Sequence, residues 1–461
     1  MMTFKIKTRS ENLFRSLLVA AFIIFVLTVL ISSVIFVPKG GLDTIGFGFF
    51  GYAQSLAETS QYKSCTPDYC DFATRMPFLP SVIALLSSFS HNHFWAASYK
   101  NIIMGIISYL LMLKLYQIYS SYFKNVVYYW FLLLVPMVLL GVVAKHAAEI
   151  QYEEGVIIWF IMPFTLSLFL LSAHQLPNQN DFITLVAISC SIAVVFYLTK
   201  SSLIFIFLLL LLVVLSQCLR KKSFIALSIL AVVTIVPFAW GTFVMEHTKR
   251  FSLMSSWDGE NLYRGWNAET ARLFPQVSLD REFDSKTVIK PDGEVVDIAP
   301  QKLRKDFASE WEWNDYYKEQ ALKNIMSDDR LFYRLALVKL QNFFMSITKT
   351  PLQYSDRPVE ANFLGKISDV VTEIWLIYGR IMQAGLVVLC LVLIIRSDSL
   401  RFGALLMLCL NALYALPYII GFSYERHITA GLVFVISSLM ALLPAIEQEH
   451  GYFLASYPGV A

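Results

Sequence analysis

The sequence predicts an all-α polytopic membrane protein, and three observations carry that reading. The 461-residue chain is 57% hydrophobic and only 15% charged, where a soluble globular chain is ~45–50% apolar and ~25% charged. That excess of apolar sequence does not fit inside one soluble core, so the solvent for much of the chain is lipid. Ten stretches reach the ~20 apolar residues a crossing needs, and the basic residues between them fall on alternate sides.

In order, the spans are 16–37, 97–119, 126–144, 155–173, 182–198, 201–218, 224–244, 373–395, 402–422 and 428–446. Lys5, Lys7, Arg9 and Arg15 precede the first one in the manner of a signal peptide. Its apolar run is too long for a signal core and no small-residue cleavage site follows, so it reads as a retained helix. The run Phe78–Phe89 is too short to cross. It reads as a re-entrant or juxtamembrane helix in the first outer loop. Parity supports this. With the N-terminus inside, Lys114, Lys124, Arg220–Lys222, Arg396 and Arg401 all fall on the cytoplasmic side, and a crossing at 78–89 breaks that pattern.

Three regions follow: residues 1–244, a transmembrane module with two short outer loops; 245–372, one large extracytoplasmic loop region; and 373–461, closing helices and a short tail. Both termini are expected in the cytoplasm. Within 245–372, Pro291-Asp292-Gly293 is a turn signal between strand-like flanks. A helical pattern starts at Trp313. Leu331, Leu335 and Val338 share one face, apart from Arg330, Arg334 and Gln341, which suits a helix lying on the membrane surface. Cys65 and Cys70 are the one close cysteine pair in a polar loop; their spacing allows a disulfide, and no second ligand pair follows to make a zinc site. The net charge of +3 and the absence of long basic runs give no footing for nucleic acid. His91-Asn92-His93 is too sparse for a metal site.

Short patterns then accumulate on the outer face. They are Asp43 ahead of Tyr52-Ala53-Gln54-Ser55-Leu56 and Arg75-Met76-Pro77-Phe78-Leu79-Pro80; Tyr152-Glu153-Glu154-Gly155 before a span; and Leu198-Thr199-Lys200 at a membrane edge. Asn261-Leu262-Tyr263-Arg264-Gly265-Trp266-Asn267 and Tyr424-Glu425-Arg426 complete the set. In order and sidedness the chain resembles the GT-C integral-membrane glycosyltransferases, of the bacterial dolichyl-phosphate-mannose-protein mannosyltransferase and aminoarabinose transferase type.

That resemblance implies transfer of a sugar from a polyprenyl-phosphate donor to an acceptor hydroxyl on the periplasmic side of a bacterial inner membrane. It implies an acid to take the hydroxyl proton and cations to hold the leaving phosphate. Asp43 is the candidate base, with Glu153 and Glu154 as further acids; each also reads as a helix-capping or solvated loop acid. Arg75, Lys200, Arg264 and Arg426 are candidate phosphate ligands, against snorkelling at the interface. The acceptor is a glycan, a lipid or a protein. No cofactor is required, although some relatives use a divalent cation. Two alternatives stand beside this reading: a polymerase or ligase of lipid-linked oligosaccharides, which favours Arg and His in the outer loops, and a transporter without chemistry, which favours mid-membrane charges and paired repeats.

Overall fold

The computed structural model describes residues 49–90, 93–134 (124, 127 and 131 excepted), 153–172, 178–274, 287–289, 294–297, 302–346 (328 excepted), 363–421 and 425–456, with residue 16. They form a predominantly helical multi-pass membrane protein with eight helices long and apolar enough to cross. The first and third expected spans lie outside the described residues, wholly or in their larger part.

Helix α1 (Phe49–Thr59) leads into a hairpin of β1 (Ser64–Cys65) and β2 (Cys70–Asp71), which the Cys65–Cys70 disulfide closes. The short apolar helix α2 (Phe78–Ser90) follows, then α3 (His93–Tyr122). The spanning helices continue with α4 (Glu154–Ser172), α5 (Gln179–Thr199), α6 (Ile204–Lys221) and α7 (Phe224–Thr248). Each boundary has a local cause. Asn178 caps α5 by accepting from the Asp181 N–H at 2.9 Å, and Ser223 caps α7; both are favoured N-cap types.

The outer segment holds α8 (Asp258–Gly265), α9 (Ala268–Leu273), the hairpin β3 (Thr287–Ile289) and β4 (Val295–Asp297), α10 (Glu310–Ser327) and α11 (Asp329–Met345). The hairpin flanks the Pro-Asp-Gly turn as the sequence suggests. Helices α12 (Phe363–Arg396), α13 (Arg401–Ile420) and α14 (Glu425–Ser456) close the chain.

Helices α4 and α14 are the inner pair, buried along nearly their whole length, and α12 is the most lipid-facing span. Helix α4 packs on α14, α5 and α3. Their seam is apolar, with Phe164, Phe169, Phe196 and Phe434 at its centre. The heads of α4, α6 and α14 and the tails of α5, α7 and α13 meet at one membrane face. Arg220, Lys221 and Arg396 end α6 and α12 at the other face, where Arg401 begins α13.

Over the first face sits the outer segment, with its own aromatic cores around Trp313 and Tyr317 and around Trp266 and Leu335. Helix α11 carries the Leu331, Leu335 and Val338 stripe. Its Leu331, Leu335 and Val338 side packs inward, with Leu335 fully buried, while Tyr333, Leu337 and Met345 point out. The helix is apolar on two sides, so periodicity alone does not choose which one faces the protein.

The outer segment is docked tightly. Helix α8 lies so close to α10 that a Cβ on Gly259 would overlap the Asn314 carbonyl, and the Gly259 N–H donates to Asn314 Oδ1 at 2.7 Å. Gly259→Ala is therefore expected to destabilise the outer segment by roughly 1–3 kcal/mol through overpacking. Thermal unfolding in detergent checks this; an unchanged midpoint contradicts the close packing.

Candidate functional site

Glu154 begins an apolar spanning helix and is 3% exposed. An isolated carboxylate there is costly, so partners have to converge on it. Two do so on the same oxygen. Lys200 Nζ donates to Oε1 at 2.5 Å, and His427 Nε2 lies 3.0 Å from it. Lys200 also reaches Glu153 at 3.4 Å. Lys200 is delivered by the break between α5 and α6, where the backbone turns extended. His427 comes from the head of α14 and stacks on Tyr418 of α13, ring centres 4.2 Å apart. One carboxylate thus ties together the head of α4, the junction of α5 and α6 and the head of α14.

Arg75 approaches from the first outer loop. Its guanidinium sits between Phe49 and Trp257, 4.8 and 4.2 Å from the ring centres. Its own backbone is held in place by Tyr62, whose hydroxyl donates to the Arg75 carbonyl at 3.0 Å. The residues before it are clamped from the outer segment. Glu310, 3% exposed, accepts from the N–H groups of Phe72 and Ala73 at 3.1 and 3.0 Å and from the Ser256 hydroxyl at 2.7 Å. Arg304 pairs with Asp71 at 2.8 Å. Burial pushes the Asp71 carboxyl up to about 6, with Arg304 opposing and Glu310 adding to the rise.

These groups surround a cavity of about 500 Å³ lined by residues of both outer loops, the outer segment, the heads of α6 and α14 and the tail of α13. Arg75, Glu153, Glu154, Lys200 and Arg264 all reach it. Five of the expected site residues, spread over 190 positions of sequence, therefore share one wall. Arg264 is buried and ion-paired with Glu260. Asp43 lies outside the described residues, as does the side chain of Arg426. Among the described residues, no group of three or more His, Cys, Asp and Glu is placed to hold a metal ion.

Sequence reasoning passed over two lining residues, His427 and Asp258. His427 directly follows the quoted Tyr424-Glu425-Arg426, and Asp258 sits three residues ahead of Asn261. Burial pushes Asp258 up to about 7, with nearby Glu153 adding and the Ser255 hydroxyl opposing. Burial also raises Glu153, against the pull of Lys200. Phe205 at the head of α6 and Ile420 at the end of α13 also line the cavity and are 38% and 43% exposed.

No family model, curated protein or solved structure matches this chain.

The Lys200–Glu154 contact is strong enough to measure. Lys200→Met strands Glu154 and is expected to lower stability on the order of 3 kcal/mol, as for other broken buried pairs. Combining it with Glu154→Gln recovers part of that loss. A double-mutant cycle on thermal unfolding checks it; strictly additive losses contradict a direct pairing.

Proposed function

We propose that this chain is a membrane glycosyltransferase that moves a sugar from a polyprenyl-phosphate donor to an acceptor hydroxyl on the extracytoplasmic face. One observation carries the reading: a single cavity at a membrane face joins a lipid-level apolar wall, Phe205 and Ile420, to a wall bearing Arg75 and Lys200 beside several carboxylates. An amphiphile with an anionic head suits both walls at once. The basic clusters at the opposite ends of α6, α12 and α13 favour the extracytoplasmic side for the cavity.

In this reading the acceptor oxygen attacks the anomeric carbon as its proton passes to a carboxylate. The bond from that carbon to the phosphate oxygen breaks, and polyprenyl phosphate leaves carrying the electron pair. Arg75 and Lys200 stabilise the growing phosphate charge, which a low-dielectric site makes worth more than in water. The Phe49 and Trp257 rings hold the Arg75 guanidinium flat, so little side-chain freedom is lost on binding. The outer loops exclude water, which would otherwise compete as acceptor.

Two results test this. Purified protein in lipid, given a panel of polyprenyl-phosphate sugars and crude envelope glycans, is expected to release polyprenyl phosphate from at least one donor. No release from any donor, with folding confirmed, contradicts the reading. Arg75→Ala is expected to weaken donor affinity roughly ten- to a hundredfold, the ~1.5–3 kcal/mol of a hydrogen bond to a charged group. Unchanged affinity removes Arg75 from the site.

A further inference from the structure

Among the described residues, three carboxylates line the cavity: Glu153, Glu154 and Asp258. A group that takes a proton from an acceptor hydroxyl needs an oxygen that no donor already occupies and must not be neutralised by a cation. Glu154 spends one oxygen on Lys200 and His427 together. Glu153 shares the same lysine. Asp258 has no ion pair among the described residues. Its Oδ1 accepts from the Ser255 hydroxyl at 3.3 Å, its Oδ2 is buried and without a hydrogen-bond partner among the described residues, and the Ser201 hydroxyl is near enough to favour the ionised form.

The surroundings fix the carboxyl group. Ser201 lies 3.3 Å from Ser255, oxygen to oxygen, so two hydroxyls from different parts of the chain back one side of it. The next residue, Gly259, is locked onto Asn314 of α10, which leaves the first turn of α8 little freedom to move. An acid at the start of a helix is commonly there only to meet the helix dipole. Such an acid keeps both oxygens hydrated or bonded to backbone N–H groups. Here one oxygen does neither.

We propose that Asp258 is the proton acceptor of this site, taking the proton of an acceptor hydroxyl at its free Oδ2 as that hydroxyl attacks. The assignment rests on the sugar-transfer reading given above and replaces Asp43 in that role. The step balances within the reaction already written: the O–H bond breaks, a carbon–oxygen bond forms, and the proton stays on Asp258 until it passes to solvent. The other charged groups facing Asp258 are Glu153 before α4 and Lys200 between α5 and α6, with Glu260 and Arg264 on its own helix. A carboxyl group that titrates near neutral pH is matched to such a task. Because the base must be ionised, transfer rises with pH through about 7 and levels off above it.

The test measures polyprenyl phosphate release against pH for the native protein, Asp258→Asn, Asp43→Asn and Ser255→Ala, with donor binding measured separately. Asp258→Asn is expected to bind donor within twofold of native, yet lose at least a hundredfold in turnover. Ser255→Ala, which removes a hydrogen bond to the ionised form, is expected to stay active with the rising limb moved to higher pH. That variant keeps the proposal falsifiable should Asp258→Asn fail to fold. The limb has to vanish in residual Asp258→Asn activity rather than merely shift. An active native protein whose Asp258→Asn variant retains turnover and pH limb overturns the assignment and leaves the sugar-transfer reading standing. So does an unmoved limb in Ser255→Ala, or loss in Asp43→Asn alone. A native protein that releases nothing overturns both.

Discussion

The architecture depends on how one buried carboxylate is neutralised. Glu154 opens an almost wholly apolar helix at a membrane face, where an unpaired charge costs several kcal/mol. The lysine that compensates it comes from the break between α5 and α6, and the histidine from the head of α14. Four helix ends, those of α4, α5, α6 and α14, are drawn to one point by that requirement. The pair is weak evidence of stability in itself, because desolvation offsets much of its attraction. What it does set is register: sliding any of these helices by one turn, ~5.4 Å, breaks the contact.

The outer segment adds a second layer of constraint. Glu310 reads two backbone N–H groups of the first loop and one serine hydroxyl of its own segment. Ser256 then returns a backbone bond to the Ala73 carbonyl at 2.8 Å. Loop and lid are therefore stitched by a buried carboxylate through groups that every residue type carries. That stitching aims Arg75 at the cavity, where the Phe49 and Trp257 faces hold its guanidinium. At the other end, Lys339 sits 3.8 Å from the Trp266 ring centre and donates to the Ile420 carbonyl at 3.2 Å, which ties α11 to the end of α13.

Much of this was legible in the sequence because lipid imposes a strong one-dimensional signal. The eight described spans match the apolar runs to within a few residues, and the β3–β4 hairpin brackets its Pro-Asp-Gly turn. Sidedness also brought Arg75, Glu153, Glu154 and Lys200 to one face, since alternate crossing leaves them nowhere else to go. What was not legible is what depends on tertiary burial. Asp258 reads as an ordinary helix-start acid until its neighbours exclude solvent from it. Glu310 is one acid of several in a charged helix, and its partners lie more than 230 positions away. His427 follows a recognisable Tyr-Glu-Arg, yet only its packing on Tyr418 and Glu154 marks it out. On α11 the spacing of Leu331, Leu335 and Val338 marked a helix, but with both faces apolar it did not say which one packs on the protein.

The central claim is that the cavity holds a lipid whose head is a phosphate and whose tail leaves past Phe205 and Ile420. The most direct measurement uses a photoreactive polyprenyl phosphate with native protein in lipid, followed by mass mapping of the cross-linked peptides. The account predicts labelling of the peptides bearing Phe205 and Ile420, suppressed by unlabelled polyprenyl phosphate and not by the neutral polyprenol. Labelling confined to other faces of the helices, or equal suppression by the neutral alcohol, contradicts it.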